Sequence, residues 1–386
     1  MHHVFLIPGF FGFDTLGDVR YFRAVRETLE RHFHEAGAEV TVSGVSTYPT
    51  GSLRRRASRL LEAIEASGAL ESAGQIHLVG HSTGGIDARL CASTMRGLGH
   101  DAARARLEGK LRTVVGIAAP HYGTPIANFF STLYGKKLLY FITLIVFVGL
   151  KGLPVSALGG IGGLLGLGFR AYDLLGLNET ILRQLTNQLL RGFSPERDRE
   201  VREFLDSVLT DVSLMVQLTP EAMDVLHDAI EPLPGVRHVS YATVSPPPLL
   251  ALKRSRWKDL LIPIETILYS TLYTLASSPE PGLRYHPPVA AREAVTGEAL
   301  GFTIDETTCD GVVPSLSMIH GEFRGFVRAD HLDVVGHYLR GDGERGAHEP
   351  RDPQDQGADW FLSGAHFDRA RFEQLWGDVT SVLLGR

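Results

Sequence analysis

Two cysteines in 386 residues, Cys91 and Cys309, leave room for one disulfide at most and exclude a disulfide framework. There is no Cys-x-x-Cys pair of the kind that builds a cysteine-rich zinc site. Charge of one sign is also scarce. A formal net charge of −6 gives no electrostatic footprint for nucleic acid. The densest basic run, "LRRRASR" (53–59), sits among Leu53, Ala57, Leu60, Leu61 and Ile64 at helical spacing, so its arginines read as a solvated helix face. No stretch repeats elsewhere in the chain. The opening "MHHVFLIPGF" lacks a basic segment, and its apolar run ends at Pro8. It reads as a first strand rather than a secretory leader, which sets the expectation of a cytoplasmic protein.

What is present fits a globular chain, with 44% hydrophobic and 21% charged residues. A chain of this length buries roughly three quarters of its unfolded surface and needs no staple. Over the first 120 residues, short apolar runs alternate with amphipathic ones. "VFLI" (4–7), "AEVTVSGV" (38–45), "IHLV" (76–79) and "TVVGIAA" (113–119) read as strands. Residues 21–33 and 52–66 read as helices, and another should follow from about Gly84. That alternation predicts a mostly parallel, doubly wound α/β sheet. "VRHVSYATVS" (236–245) and "FRGFVR" (323–328) read as returning strands, and residues 366–384 as a last helix. The sheet core is therefore expected over 1–130 and 236–386, with a proline-rich, apolar excursion at about 246–300. Residues 131–235 are expected to form a helical cap or lid insertion, within which "SPERDREVREFLD" (194–206) reads as a solvated helix.

Chemistry concentrates in "LVGHSTGGI" (78–86), a Gly-x-Ser-x-Gly between a predicted strand and a predicted helix. Such a turn can be the nucleophile elbow of an α/β-hydrolase fold, with Gly80, Gly84 and Gly85 as the small neighbours that elbow requires. The bland alternative is a serine capping a helix. A nucleophilic serine needs a base, and the base an orienting acid, in the chain order Ser, Asp or Glu, His for this fold. Ser82 is paired with His331, directly after the predicted last strand, as base, and with Asp310 in "CDGVVP" as acid. With 16 histidines in the chain, His337 and His320 stay open as bases, and Asp305 as acid. An oxyanion hole needs two backbone N–H donors. Thr83, after the serine, supplies one, and Phe10 in the glycine-rich "PGFFGFD" (8–14) supplies the other. Phe11 and Phe13 suit an acyl-binding wall.

These motifs, in this order, resemble the bacterial triacylglycerol lipases of the calcium-dependent type. "VFLIPGFFG" is similar to their first strand and oxyanion loop, with Pro8 where they usually carry histidine. "HLVGHSTGG" resembles their elbow, "GIAAPHYGTP" (116–125) the segment after it, "CDGVVP" their acid loop and "DHLDVVGHYLRG" (330–341) their histidine loop. The resemblance covers about 1–130 and 305–341. It implies a serine ester hydrolase acting on lipid or other apolar acyl esters, with the roles given above. It also implies a calcium ligand at Asp333, two residues after the histidine. The second acidic ligand of that family would fall in "HPPVAAREAVTGE", where only Glu293 or Glu298 stands. The reaction itself requires no cofactor, and calcium enters only as a structural ion. A depolymerase, phospholipase or acyltransferase would use the same triad, and a non-catalytic membrane-associated module is a remote alternative. "LLYFITLIVFVGL" (138–150) is short of the about twenty residues a span needs, and Pro154 interrupts its continuation through 157–169. The segment 138–169 is expected to be a lid that meets a lipid interface, with a core helix or an anchor as alternatives. "LLIPIETILYSTLYTLA" (260–276) is its partner wall or a core helix.

Overall fold

The computed structural model describes residues 1–16, 19–132, 195–248, 264–278, 304–338 and 361–386, with positions 135, 139, 140, 143, 186, 187 and 190 between them. Six parallel strands form the central sheet in the order β4-β1-β5-β6-β7-β8. They are β1 (His2–Ile7), β4 (Val40–Gly44), β5 (Gln75–His81), β6 (Leu111–Ile117), β7 (Arg237–Val244) and β8 (Glu322–Arg328). A small antiparallel pair, β2 (Thr15–Leu16) and β3 (Val19–Arg20), follows the first strand. β1 and β5 are buried along most of their length. That burial on both faces is why they read as continuous apolar runs rather than alternating ones.

The predicted helices form with shifted ends. α1 (Val25–Glu35) buries Val25, Leu29 and Phe33 at four-residue spacing. It starts four residues later than its pattern suggests, because Ala24 is left-handed and Tyr21 and Arg23 N–H groups donate to Asp14 and Val335 carbonyls. α2 (Leu53–Ala66) is capped by Ser52 Oγ, and α3 (Thr83–Cys91) is buried throughout. α4 (Asp101–Lys110) was not apparent in the sequence; its charged residues hide a short face of Ala103 and Leu107. α5 (Pro125–Ser131) follows β6.

In the region expected to be a cap, the described residues include three helices, α6 (Pro195–Thr210), α7 (Ser213–Gln217) and α8 (Pro220–Ala229). α6 is not simply a solvated face. Val201, Phe204 and Leu205 are buried, and the Phe204 ring lies 6.2 Å from Phe11 and 6.1 Å from Phe13. α9 (Ile264–Ala276) buries Tyr269, and Leu272 on the same helix reaches the pocket beside Ser82. The closing helix α10 (Arg369–Leu383) is capped by Asp368 and buries Trp376, whose Nε1–H donates to the Val334 carbonyl at 3.0 Å. Of the 138–169 segment, only Leu139, Tyr140 and Thr143 are described, and all three are buried. The rest of that segment and most of 246–300 lie outside the described residues. Among the described residues no helix is long and apolar enough to cross a membrane.

The carboxyl ends of β1, β5, β7 and β8 open on one side of the sheet. Loops leaving those ends carry residues 8–14, Ser82, Asp310 and His331 respectively. In open α/β sheets this is where ligands bind.

Candidate active site

Ser82 follows β5 directly at φ 54°, ψ −130°, a backbone conformation a side chain normally avoids. It occupies the N-cap position of α3, yet its side chain makes no capping hydrogen bond. The helix-cap reading therefore fails. The glycines explain how the turn is held. A Cβ on Gly80 would lie 2.2 Å from the Gly84 carbonyl oxygen, and one on Gly84 would lie 2.2 Å from the Ile7 carbonyl oxygen. One on Gly85 would meet the Ala119 methyl at 2.5 Å. Strand, elbow and helix thus pack at backbone contact, which drives Ser82 outward onto the pocket. The pocket is lined by Phe10, Thr83, His331 and a largely apolar wall that includes Ile126, Met215 and Leu272.

Asp310 and His331 come together. His331 Nδ1 donates to Asp310 Oδ2 at 2.7 Å, and the His331 N–H donates to the Asp310 carbonyl at 3.1 Å. The fully buried Asp310 carboxylate also accepts Thr243 Oγ1–H at 2.6 Å and the N–H groups of Val312 and Val313 at 3.0 and 2.8 Å. A buried carboxylate this well satisfied stays in place and holds one imidazole tautomer. The rivals are occupied elsewhere. Asp305 Oδ1 accepts Thr307 N–H and the hydroxyls of Thr307 and Thr308, closing its own loop. His337 pairs through Nε2 with the Tyr21 carbonyl at 3.0 Å. His320 lies in a separate histidine cluster, its ring 4.6 Å from that of His121.

Phe10 and Phe11 line the pocket, and Phe13 does not; its ring packs edge-on against Tyr21 at 5.9 Å. Asp333 Oδ2 accepts the Asp330 N–H at 2.8 Å. Asp330 Oδ1 accepts the N–H groups of Leu332 and Asp333, and its Oδ2 accepts Ser363 Oγ–H. These carboxylates brace the loop that carries His331. Among the described residues no group of three or more His, Cys, Asp or Glu is placed to hold a metal ion. Glu293 and Glu298 lie outside the described residues.

Sequence reasoning missed two buried groups. Arg56 was expected on a solvated face and is 0% exposed, as is its partner Asp87 on α3. Burial pushes the Asp87 carboxyl up from its ordinary value, against the pull of the Arg56 guanidinium. The second is His81, immediately before the serine. Its Nδ1 accepts Tyr21 Oη–H at 2.7 Å and its Nε2–H donates to the His331 carbonyl at 2.8 Å. Complete burial, with His331 adjacent, holds its pKa well below the ordinary histidine value. The "GHS" spelling placed His81 beside the nucleophile; nothing in "LRRRASR" distinguished its third arginine from the others.

The sheet order, the strained serine after β5 and the loops at the carboxyl ends define an α/β-hydrolase fold. Lipase 1 from Pelosinus fermentans shares it, aligning over 98% of this chain and 98% of that one with a TM-score of 0.52 at 16% identity. In sequence, the chain is similar to the bacterial triacylglycerol lipases: it is 34% identical over 125 residues to that of Vibrio cholerae serotype O1. It is 27% identical over 125 residues to that of Pseudomonas fragi. Each match takes in 32% of this chain, and 34% and 36% of the two relatives, so it spans about a third of their length. No protein-family model matches the chain.

Proposed function

We propose that the protein is a serine carboxylic-ester hydrolase of the lipase and esterase kind, acting on apolar acyl esters through an acyl-enzyme on Ser82. The observation that carries this reading is the uncapped, strained Ser82 opening with His331 onto one apolar pocket, while His331 is held by Asp310. His331 Nε2 takes the proton of Ser82 Oγ as the oxygen attacks the ester carbonyl. The N–H groups of Phe10 and Thr83 receive the oxyanion, each such donor contributing about 3–4 kcal/mol to the transition state. His331 then protonates the departing alcohol, and water repeats the sequence to release the acid. Asp310 stabilises the imidazolium formed in each step without taking its proton.

The wall of Phe10, Phe11, Ile126, Phe130, Leu218 and Leu272 suits an acyl chain, and Leu139 brings the start of the 138–169 segment against the same pocket. An empty apolar pocket of this kind exposes surface that a cover removes from water. That supports the lid reading and a lipid interface as the partner. No step runs through a metal.

The test is hydrolysis of nitrophenyl esters of increasing acyl length by wild type and Ser82→Ala. Activity that rises toward medium or long chains, with at least about a 10⁴-fold loss in the variant, is the expected outcome. Activity retained by Ser82→Ala would overturn the assignment. Turnover of the shortest esters alone would overturn the acyl-chain reading.

A further inference from the structure

The Arg56–Asp87 pair is spent on neither surface nor stability alone, because of what else the guanidinium touches. Its Nη2 lies 3.0 Å from the Pro8 carbonyl, 3.0 Å from the Gly9 carbonyl and 3.3 Å from Thr83 Oγ1. Its Nη1 donates to the Tyr48 carbonyl and lies 3.5 Å from that of Pro49. Asp87 receives Nε at 2.9 Å and Nη2 at 2.8 Å, which anchors the fork to the helix that starts at the elbow. One cation therefore joins the loop after β1, the loop after β4, and α3.

The Gly9 carbonyl belongs to the same peptide unit as the Phe10 N–H. In a planar trans peptide the two groups point in opposite directions. A guanidinium held on the carbonyl fixes the rotation of that plane, and so fixes the N–H on its other side. It also draws electron density toward the oxygen, which strengthens the N–H as a donor. The carbonyl of the preceding peptide, on Pro8, also faces Arg56. Steric room is withdrawn as well, since a Cβ on Gly9 would lie 2.6 Å from Tyr21 Oη and 2.7 Å from Ser82 Cβ. The loop has no slack to find its position without these contacts.

We infer that Arg56, tethered by Asp87, is a positioning residue for the oxyanion hole: it orients and polarises the Gly9–Phe10 peptide so that the Phe10 N–H meets the developing negative charge. It acts through that peptide and does not touch substrate. The inference rests on the ester-hydrolase reading above and adds a residue to it. A neutral side chain of similar volume would fill the space but withdraw the donor from the Pro8 and Tyr48 carbonyls and leave the Gly9 carbonyl with the Gly12 N–H alone. Lysine would keep the charge but lose the planar fork, so it cannot serve Pro8, Gly9 and Asp87 together.

The experiment uses the full chain as wild type and Arg56→Lys, with folding followed by circular dichroism and thermal melting. A short nitrophenyl ester gives kcat and KM, and an alkyl boronic acid, which forms a tetrahedral anion on serine, gives an inhibition constant. The expected result is a folded variant whose kcat and boronate affinity fall together, by about 10-fold or more, with KM changed by less than about 3-fold. If Arg56→Lys does not fold, Asp87→Asn, which keeps the shape and one acceptor oxygen but replaces the other by an NH2 donor, is measured in the same way and should show the same parallel loss. A folded variant that kept kcat and boronate affinity while melting earlier would overturn the inference, leaving the pair a packing element. So would a loss confined to KM. A wild type that turned over no ester would instead remove the hydrolase reading, and this inference with it.

Discussion

Lowering the pH from 7.5 to 5 should destabilise this protein steeply, in part through a cluster of histidines outside the triad. His121, His238 and His320 gather beside Arg89, with His227 and Tyr122 at the rim; His320 lies 4.6 Å from His121 and 5.7 Å from His238, ring centre to ring centre. Both ring nitrogens of His121 and of His238 are buried without a hydrogen-bond partner, and so is Arg89 Nη1. Among the described residues no carboxylate pairs with Arg89; Asp224 and Asp228 face only His227 and Tyr122. Burial, then the neighbouring positive charges, pull His238 down to about 4 and His320 to about 2, and His121 well below its ordinary value. The unfolded chain takes up these protons near pH 6.5, and the folded one does not. Stability is therefore full above pH 6.5 and is lost as the pH falls toward the folded values. Each histidine kept neutral costs about 1.4 kcal/mol by pH 5.5 and about 2 by pH 5, a large share of a typical total of about 5–15. Asp87 works the other way, because its carboxyl, raised to about 6, lets the folded state take up one proton in the same window. The assay is urea unfolding at pH 7.5, 6.5, 5.5 and 5.0 for wild type and His121→Gln. Near pH 5 the slope of His121→Gln should be shallower than that of wild type by about 1.4 kcal/mol per pH unit. A wild-type stability that is flat over this range, or a slope unchanged in the variant, would refute the reasoning.

Two substitutions test the frame around the site. Gly84→Ala places a methyl 2.2 Å from the Ile7 carbonyl oxygen, so the elbow must move off β1. A loss of at least about 1–3 kcal/mol in melting experiments is expected, with activity falling further than stability. Thr243→Val removes the 2.6 Å donor to Asp310 Oδ2 in an isosteric way. The lost bond to a charged acceptor should cost about 1.5–3 kcal/mol of stability in denaturant titration, with ester hydrolysis reduced at saturating substrate.

The sheet was legible because its strands are buried on both faces, which leaves unbroken apolar runs such as "VFLI" and "IHLV". The elbow was legible because backbone contact admits only glycine at 80, 84 and 85, and that constraint writes itself into adjacent letters. Asp310 and His331 were harder to see; only their place beside the last strands separated them from Asp305, His320 and His337. Helix α4 and the buried face of α6 were hidden by charge, since Phe204 and Leu205 sit among acidic and basic neighbours that point elsewhere. Arg56 was invisible for a related reason. Its neighbours Arg54 and Arg55 are exposed, and the three arginines look alike in sequence. What selects it is Asp87, thirty-one positions away, and a pairing at that distance leaves no local pattern. Phe13 misled for the opposite reason: it follows Phe10 and Phe11 closely in sequence, but the turn at Gly12 sends it into the core.

The path from Tyr21 O–H to His81, and from His81 N–H to the His331 carbonyl, has both of its donors pointing one way. His81 is thereby committed at both nitrogens: one receives and the other gives. Its ring lies 4.8 Å from that of His331, close enough for a free imidazole to compete for the proton leaving Ser82. With both nitrogens engaged, His81 has no lone pair to spare for it. In the proposed reaction, proton traffic would then stay between Ser82 and His331, with the bystander imidazole as the wall of the wire rather than a branch of it.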